Sequence, residues 1–327
     1  MVARRNLVIA LGAGSYAPLA SFARQPLRRI AFLFPNSATA VAAQGSLVAF
    51  KEGLRDNGLI EGKHYLLEER YAGGVYERFP VLTRELLQRN PAVIMVSTIE
   101  AVRVAQKETK TVPIVMAATN DPVGSGLVAS LARPGGNTTG LSTQAEDTIV
   151  KYVELVRETL PRAKWIAVLV NPGNPSTPKM FEQLRTAAGG YGIDAGAFEA
   201  ATPAALDAVF GAIAQQRPDA FVVLRDAMFI GQHERMSAFA LKNRIPLFAP
   251  TDQFVGSGSL ISYAPSLVDM YRRSATYVAK ILAGAKPADL PIEQPTRFEL
   301  VLNMNTAKAL GIKIPQSILV RVDRVIE

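Results

Sequence analysis

Polar side chains follow nearly every apolar run of this sequence that is long enough to form a buried strand. They are, in chain order, Ser37, Ser97, Thr98, Asn120, Asp121, Asn171, Asn174, Asp226 and Asp252. Their hydroxyl, amide and carboxylate groups offer the donors and acceptors that a small polar solute needs in place of its water. We therefore predict that these residues bind a ligand together. Each of them alone also fits a helix N-cap or a turn, so the prediction depends on the whole set.

The set contains groups that complement both signs of charge. A helical stretch follows Ser97 and Thr98, and the free N–H groups of a helix N-terminus attract a carboxylate. Asp121, Asp226 and Asp252 suit an ammonium group. The combination favours an amino acid or an aromatic compound, while other small organic acids and nucleobase-like solutes stay open.

The composition gives little support to catalytic or metal chemistry. The chain has no cysteine and only two histidines, His64 and His233, which excludes thiol nucleophiles, Fe–S clusters and cysteine-based zinc sites. No nucleophile, base and orienting residue stand in a recognisable spacing. The glycine-rich segment 133–140 lacks the lysine of a P-loop, and we interpret it as a crossover toward the second half of the chain. We predict no catalytic residue, no metal and no cofactor.

The net charge of +8 is spread along the chain. Lysines and arginines form no cluster longer than a pair, whereas nucleic-acid binding needs a concentrated basic patch. We therefore expect no nucleic-acid partner.

The first residues have the pattern of an export signal. Arg4 and Arg5 give a positive start, an apolar run follows at 7–14, and Ser21 and Ala23 are the small residues that a signal peptidase prefers. The apolar run is shorter than the ~20 residues that span a bilayer. We predict a signal peptide at 1–23, cleaved near Ala23, and a periplasmic protein; the general secretory and twin-arginine routes both stay open.

The strands that carry the polar residues occur in two matching sets. The apolar runs at 29–34, 91–97 and 112–117 correspond to those at 165–170, 218–226 and 245–250, at a nearly constant offset. A continuous apolar run is typical of a strand that is buried on both faces of a parallel sheet. The pattern predicts an α/β fold with two doubly wound, Rossmann-like lobes, although two unrelated α/β domains would give a similar alternation.

The polar residues of both lobes should meet in one place. Ligands of open parallel sheets bind outside the carboxyl ends of the strands, so two facing sheets predict a central cleft. We predict that lobe 1 comprises 28–143 and 257–285, and that lobe 2 comprises 144–256 and 286–327.

Several segments together resemble a known family. They are the sequences at 120–128, 133–140, 168–172, 281–291, 294–301 and 303–311. On these motifs the chain resembles the ABC-transporter substrate-binding proteins described as tryptophan/tyrosine-binding-like, from about Leu27 to Glu327.

The resemblance implies a type I periplasmic-binding-protein fold whose lobes are joined by three crossovers and close on a solute by hinge bending. It implies that residues 259–286 return to lobe 1 as a strand and a helix, with hinges near 141–144, 254–258 and 284–286. It also implies an ABC permease and its ATPase as partners, with contact to the membrane only through the permease. We expect a monomer.

Two other functions stay open. A cleft enzyme on the same lobes would need a cofactor fingerprint after the first strand, and Phe34, Pro35, Asn36 and Ser37 do not form one. A ligand-sensing regulator would need a DNA-binding headpiece where the chain carries the export pattern.

Overall fold

The computed structural model describes residues 27–327. The predicted export signal at 1–23 lies outside the described residues. Among the helices of 27–327, none combines the length and the apolar character needed to cross a membrane.

The first lobe is built on a five-stranded parallel sheet. Its strands are β1 (Arg28–Phe34), β2 (Tyr65–Tyr71), β3 (Val93–Val96), β4 (Ile114–Thr119) and β5 (Thr138–Ser142), in the order β2-β1-β3-β4-β5. Along β1, Ile30 and Phe32 face one hydrophobic core, whereas Ala31 and Leu33 face another. The run is continuously apolar because helices cover both faces of the sheet.

The helices of the first lobe come from both ends of the described chain. They are α1 (Ala38–Gln44), α2 (Ser46–Asp56), α3 (Phe79–Leu87), α4 (Ile99–Glu108) and, much later, α11 (Leu267–Leu282). Helices α2 and α11 pack against each other so closely that a Cβ at Gly53 would lie 2.1 Å from the backbone oxygen of Arg272. The helical pattern at 41–57 is interrupted at Gly45, whose φ of +68° ends α1 in the left-handed region.

The second lobe is built on a seven-stranded mixed sheet. Its strands are β6 (Trp165–Val170), β7 (Asp194–Glu199), β8 (Ala220–Val223), β9 (Leu247–Ala249), β10 (Ile261–Ala264), β11 (Glu299–Asn303) and β12 (Arg324–Ile326), in the order β12-β11-β10-β9-β8-β6-β7. Only β10 and β11 run antiparallel to each other. Its helices are α5 (Ile149–Thr159), α6 (Thr177–Gly190), α7 (Leu206–Gln216), α8 (Ala227–Ile230), α9 (His233–Lys242), α10 (Asp252–Gly256), α12 (Met304–Leu310) and α13 (Gln316–Leu319). Short 3-10 helices lie at Tyr76–Arg78, Ala145–Thr148, Pro203–Ala205 and Pro287–Asp289.

The two sheets share one plan. The order β2-β1-β3-β4 in the first lobe is the order β7-β6-β8-β9 in the second. The three strand pairs that the sequence matched are therefore β1 with β6, β3 with β8, and β4 with β9. Two facing α/β lobes are confirmed.

One strand belongs to lobe 2 and not, as predicted, to lobe 1. Residues 259–286 were predicted to supply a strand and a helix to lobe 1, but β10 pairs with β9 and β11 in the sheet of lobe 2. Only the helix, α11, packs on lobe 1. Apolar residues lie on both sides of Pro265, where the chain leaves β10 and enters α11. The hydrophobic pattern alone therefore does not indicate which of the two sheets β10 joins.

The chain passes between the lobes three times. The first passage, 143–148, follows the end of β5 at Ser142, and the second, 265–266, connects β10 with α11. The third lies at 294–298, because Glu293 still accepts a hydrogen bond from Ser142 beside β5. The first agrees with the hinge expected at 141–144. The expected hinges at 254–258 and 284–286 are wrong, since 254–258 lies in and after α10 of lobe 2 and 284–286 follows α11 on lobe 1.

Candidate ligand-binding site between the lobes

A cavity lies between the carboxyl ends of the two sheets. The space between its walls is about 580 Å³ when open solvent is counted, and about 50 Å³ of it admits the centre of a water-sized molecule. One part of its wall is apolar and formed by Phe34, Val41, Ile99, Ala118, Ile230 and Leu267. The polar part is formed by Asn36, Gln44, Tyr76, Ser97, Thr98, Glu100, Asn120, Asn174, Arg225, Asp226 and Tyr271.

Five of the predicted residues line this cavity. They are Ser97, Thr98, Asn120, Asn174 and Asp226, which come from both lobes and are all buried. The strand ends bring them together because both sheets direct their carboxyl ends to the same cleft. Asn120 is additionally fixed by Thr143 at the first passage between the lobes, whose hydroxyl donates to its side-chain oxygen.

Asp226 is the most heavily hydrogen-bonded of these residues. Its carboxylate accepts from Asn171 Nδ2 and Asn174 Nδ2, each at 3.1 Å, and from the Met228 N–H at 2.9 Å. The Tyr76 hydroxyl, from the other lobe, donates to it at 3.1 Å. Burial raises the pKa of Asp226, and these donors oppose that effect. Asn171 thus lies behind the cavity wall and orients Asp226.

Three predicted residues lie away from the cavity. Ser37 is exposed and caps α1 by accepting from the Ala40 N–H. Asp121 accepts from the Gly124 N–H and forms an ion pair with Lys179. Asp252, in the first turn of α10, forms an ion pair with Arg324. Ser37 and Asp121 make the capping and turn contacts that are typical of such residues, whereas the ion pairs of Asp121 and Asp252 join segments far apart in the sequence.

The N-terminus of α4 is already occupied by groups of the chain itself. Thr98 Oγ1 accepts from the Ala101 N–H, and the carboxylate of Glu100 lies in the first turn. A ligand carboxylate at Ser97 and Thr98 would meet the like charge of Glu100. The geometry therefore disfavours the carboxylate seat that the sequence suggested there.

Arg225 is the most consequential residue that the sequence analysis missed. It immediately follows the apolar residues of β8 and Leu224, lines the cavity, and is only 8% exposed. Its Nη1 donates to the Pro250 carbonyl at 3.1 Å, and among residues 27–327 it forms no ion pair. Burial lowers the pKa of Arg225, but a guanidinium stays protonated at neutral pH.

Besides Ser97 Oγ, two further cavity residues have buried polar atoms without a hydrogen-bond partner in 27–327. Gln44 Nε2 and Glu100 Oε1 are buried and form no hydrogen bond to the described part of the chain. Gln44 reaches the cavity because α1 ends there at Gly45. Buried polar atoms without a partner are rare in native proteins, and in a cavity wall they indicate groups that a ligand satisfies.

The lobes touch across the cleft around the cavity. Asn36 Nδ2 donates to the Ala227 carbonyl at 2.9 Å, and Gln253 Nε2 donates to the Gln44 carbonyl at 3.2 Å. Lys179 of lobe 2 lies 3.2 Å from the carboxylate of Asp121 at the rim. The structure therefore has a closed cleft, with Tyr76 and Asp226 forming a further bond between the lobes.

Metal binding has no obvious site in the described residues. Across 27–327, His, Asp and Glu side chains form no group of three or more that could hold an ion.

Comparison with known proteins assigns this architecture to a family. The family described as ABC transporter substrate binding protein matches residues 39–326, most of the chain. The chain belongs to this family.

Relatives of this substrate-binding protein agree with the fold. A tyrosine-binding protein of Clostridioides difficile is 25% identical over 264 residues, which cover 81% of this chain and 76% of the relative. The crystal structure of a conserved domain protein from Vibrio cholerae superposes with a TM-score of 0.83 at 30% identity, covering 92% of this chain and all of that one. An ABC domain from Streptococcus pneumoniae in complex with L-Trp gives a TM-score of 0.80 at 23% identity, over 91% and 100% of the two chains.

The membership fixes the general role of the molecule. It is the substrate-binding component of an ABC transporter, which takes up a small-molecule ligand outside the cytoplasm. The type I periplasmic-binding-protein architecture implied by the sequence motifs is confirmed, with two α/β lobes and the cavity between them. The family implies a permease and an ATPase as partners.

Proposed function

We propose that this protein binds an α-amino acid, with an aromatic side chain preferred, and delivers it to an ABC importer. The observation that carries the proposal is Arg225, a buried guanidinium in the cavity wall without an ion pair in 27–327. A buried charge without a partner costs several kcal/mol, so the site favours a ligand that brings a carboxylate. Arginine binds carboxylates with two parallel hydrogen bonds, which also fixes their orientation.

The opposite charge of the ligand has its own partner. Asp226 is the next residue along the chain and lines the same cavity, with its side chain fixed by Asn171 and Asn174. A carboxylate held rigidly at this position suits an ammonium group. Asn120, Ser97 and Thr98 supply additional polar contacts in this proposal.

The apolar wall receives the side chain of the ligand. Phe34 of this wall stacks on Phe32 in the core beneath the cavity, and Tyr271 of the polar wall packs on the same ring, so aromatic side chains support the cavity. A relative that binds tyrosine and a similar structure that holds L-Trp support an aromatic side chain. Aromatic ligands gain both from buried area and from ring packing.

Closure of the lobes would present the loaded protein to the permease. We propose that 27–142 with 267–293 and 149–264 with 299–327 move as two bodies about the three passages between the lobes. A ligand that bridges Arg225 and the lobe 1 residues stabilises the closed form by its differential affinity. The charge pattern at 1–23 supports export to the periplasm, and the relatives support transport over catalysis.

Replacing the buried arginine tests this function. We expect Arg225→Met to bind L-tyrosine and L-tryptophan at least a hundredfold more weakly, because the ligand carboxylate loses its partner. The melting temperature should hold or rise, since the variant also loses an unpaired buried charge. Isothermal titration calorimetry gives the affinity, and differential scanning calorimetry the stability.

The matched control is Arg185→Met, which removes an exposed arginine on α6 that pairs with Glu182 outside the cavity. It should leave the affinity unchanged. Tyramine, which lacks the carboxylate, should bind wild type poorly. If Arg225→Met binds L-tyrosine as tightly as wild type, or if the bound amino acid is recovered chemically altered, the proposal is wrong.

A further inference from the structure

Glu100 places a carboxylate in the wall of the cavity. It lies in the first turn of α4, on lobe 1, and its Oε1 is buried without a hydrogen-bond partner in 27–327. Thr98, and not Glu100, caps the helix. A buried carboxylate oxygen that faces a ligand cavity without a partner is placed to contact the ligand.

The groups around Glu100 come from both lobes. Asp226 and Arg225 face the cavity from lobe 2, Tyr76 from the 3-10 helix at Tyr76–Arg78, and Tyr271 from α11. The positive charge of Arg103, which is also on α4, lowers the pKa of Glu100. Burial and the negative charge of Asp226 together raise the pKa of Glu100 to about 7, while its own backbone N–H, Thr98 and Arg103 oppose the rise.

We infer that Glu100 is a specificity-determining residue, which forms with Asp226 a pair of carboxylates, one from each lobe, that selects ligands placing an ammonium group between them. The inference rests on the proposed function and adds to it a second acceptor for the ammonium. Two carboxylates across a closing cleft repel each other when no cation separates them. A ligand without an ammonium group therefore binds only when Glu100 takes up a proton.

The sign of the pH dependence follows from this arrangement. In the closed cleft without a ligand, Glu100 is largely protonated at pH 6, because its pKa there is raised to about 7. An ammonium group stabilises the ionised form, so binding lowers that pKa and releases a proton. Relative to this empty closed form, the affinity for an amino acid rises by about tenfold between pH 6 and pH 8 if binding moves the pKa of Glu100 below about 5.

The test uses L-tyrosine and its deaminated analogue, 3-(4-hydroxyphenyl)propionate, as probes on the protein without the predicted signal peptide at 1–23. Titration calorimetry of wild type at pH 6 and pH 8, in buffers of different ionisation enthalpy, should show the tenfold change and the release of close to one proton at pH 6. In Glu100→Gln the affinity for L-tyrosine should change less than twofold over this range. At pH 8 the preference of the variant for L-tyrosine over the analogue should fall about tenfold.

Glu146→Gln is the matched control. Glu146 also has a buried Oε1 without a partner in the described chain and a pKa raised by burial, but it does not line the cavity. This variant should keep the pH dependence. Its loss in Glu100→Gln, where His64 and His233 are still present, shows that the histidines do not cause it.

Two results would overturn the inference while leaving amino-acid binding intact. They are an affinity of wild type that does not change between pH 6 and pH 8, and an equal loss of affinity for both probes in Glu100→Gln. If wild type binds neither L-tyrosine nor L-tryptophan, the proposed function fails, and the inference fails with it.

Discussion

At the scale of a single residue, Asp226 has two roles. It faces the ligand cavity, and it is the acceptor of a hydrogen bond from the opposite lobe, through Tyr76. Burial and the charge of Asp226 raise the pKa of Tyr76 well above its usual value, so the phenol stays protonated and donates. The same carboxylate therefore connects occupation of the cavity with closure of the cleft.

Removing that phenol hydroxyl should weaken ligand binding. Hydrogen bonds to charged groups contribute about 1.5–3 kcal/mol, so Tyr76→Phe should lower the affinity for L-tyrosine by roughly ten- to a hundredfold, through a less stable closed form. Calorimetry measures the affinity. Tyr277→Phe is the control, because the hydroxyl of Tyr277 bonds to Pro291 within lobe 1. Equal losses of affinity in the two variants would contradict the role of Tyr76.

The sequence predicted part of this site because strand ends can be read from apolar runs. Asn174 and Asp226 lie within four residues of the ends of such runs, and parallel sheets bring the ends together. Arg225 was missed because an arginine beside an apolar run usually lies at the surface, and only the tertiary structure buries it. Gln44 and Tyr271 were missed because helices, one of them from the far end of the chain, carry them to the cavity.

At the scale of elements, the segment after β2 brings lobe 1 into close contact with lobe 2. Gly74 has a φ of +82°, and a Cβ there would lie 2.8 Å from Pro203 and 3.0 Å from Met228, both on lobe 2. A glycine at this position lets the backbone reach the opposite lobe. Closure thus depends on the absence of a side chain.

Adding one methyl group should hold the cleft open. We expect Gly74→Ala to bind L-tyrosine at least tenfold more weakly while the lobes keep their fold, because the clash exists only in the closed form. Gly62→Ala is the control: its φ of +76° imposes the same backbone strain, about 1 kcal/mol, but its Cβ meets open space. Calorimetry that finds the same affinity for both variants would show that Gly74 does not limit closure.

The order of the elements was predictable to the extent that it is local. The six matched strands are in the sheets as expected, because each is a continuous apolar run. The prediction that β10 belongs to lobe 1 was wrong. Its pairing with β9 depends on the path of the chain between the lobes and not on the residues of β10. The break at Gly45 divides a stretch that has helical periodicity throughout, and a glycine inside such a pattern is often tolerated.

At the scale of the whole molecule, two lobes face each other, and we propose that they close on an amino acid. Polar contacts cross the cleft, among them the partly exposed pair of Lys179 and Asp121. One apolar cluster also contains buried residues of both lobes, such as Phe34 and Met228. Exposed ion pairs contribute about 0–1 kcal/mol, so the pair at the rim adds little to closure. A ligand that contacts both lobes stabilises the closed form further by its differential affinity.

The most direct test is the distance between the lobes with and without ligand. The chain has no cysteine, so Glu77→Cys and Ala204→Cys, exposed positions on opposite rims of the cleft, allow specific spin labelling. Pulsed electron spin resonance should show a long or broad distance distribution in the ligand-free protein. L-tyrosine should convert it to a short, narrow one, and tyramine should leave it unchanged. A distribution that neither L-tyrosine nor L-tryptophan alters would contradict closure on an amino acid.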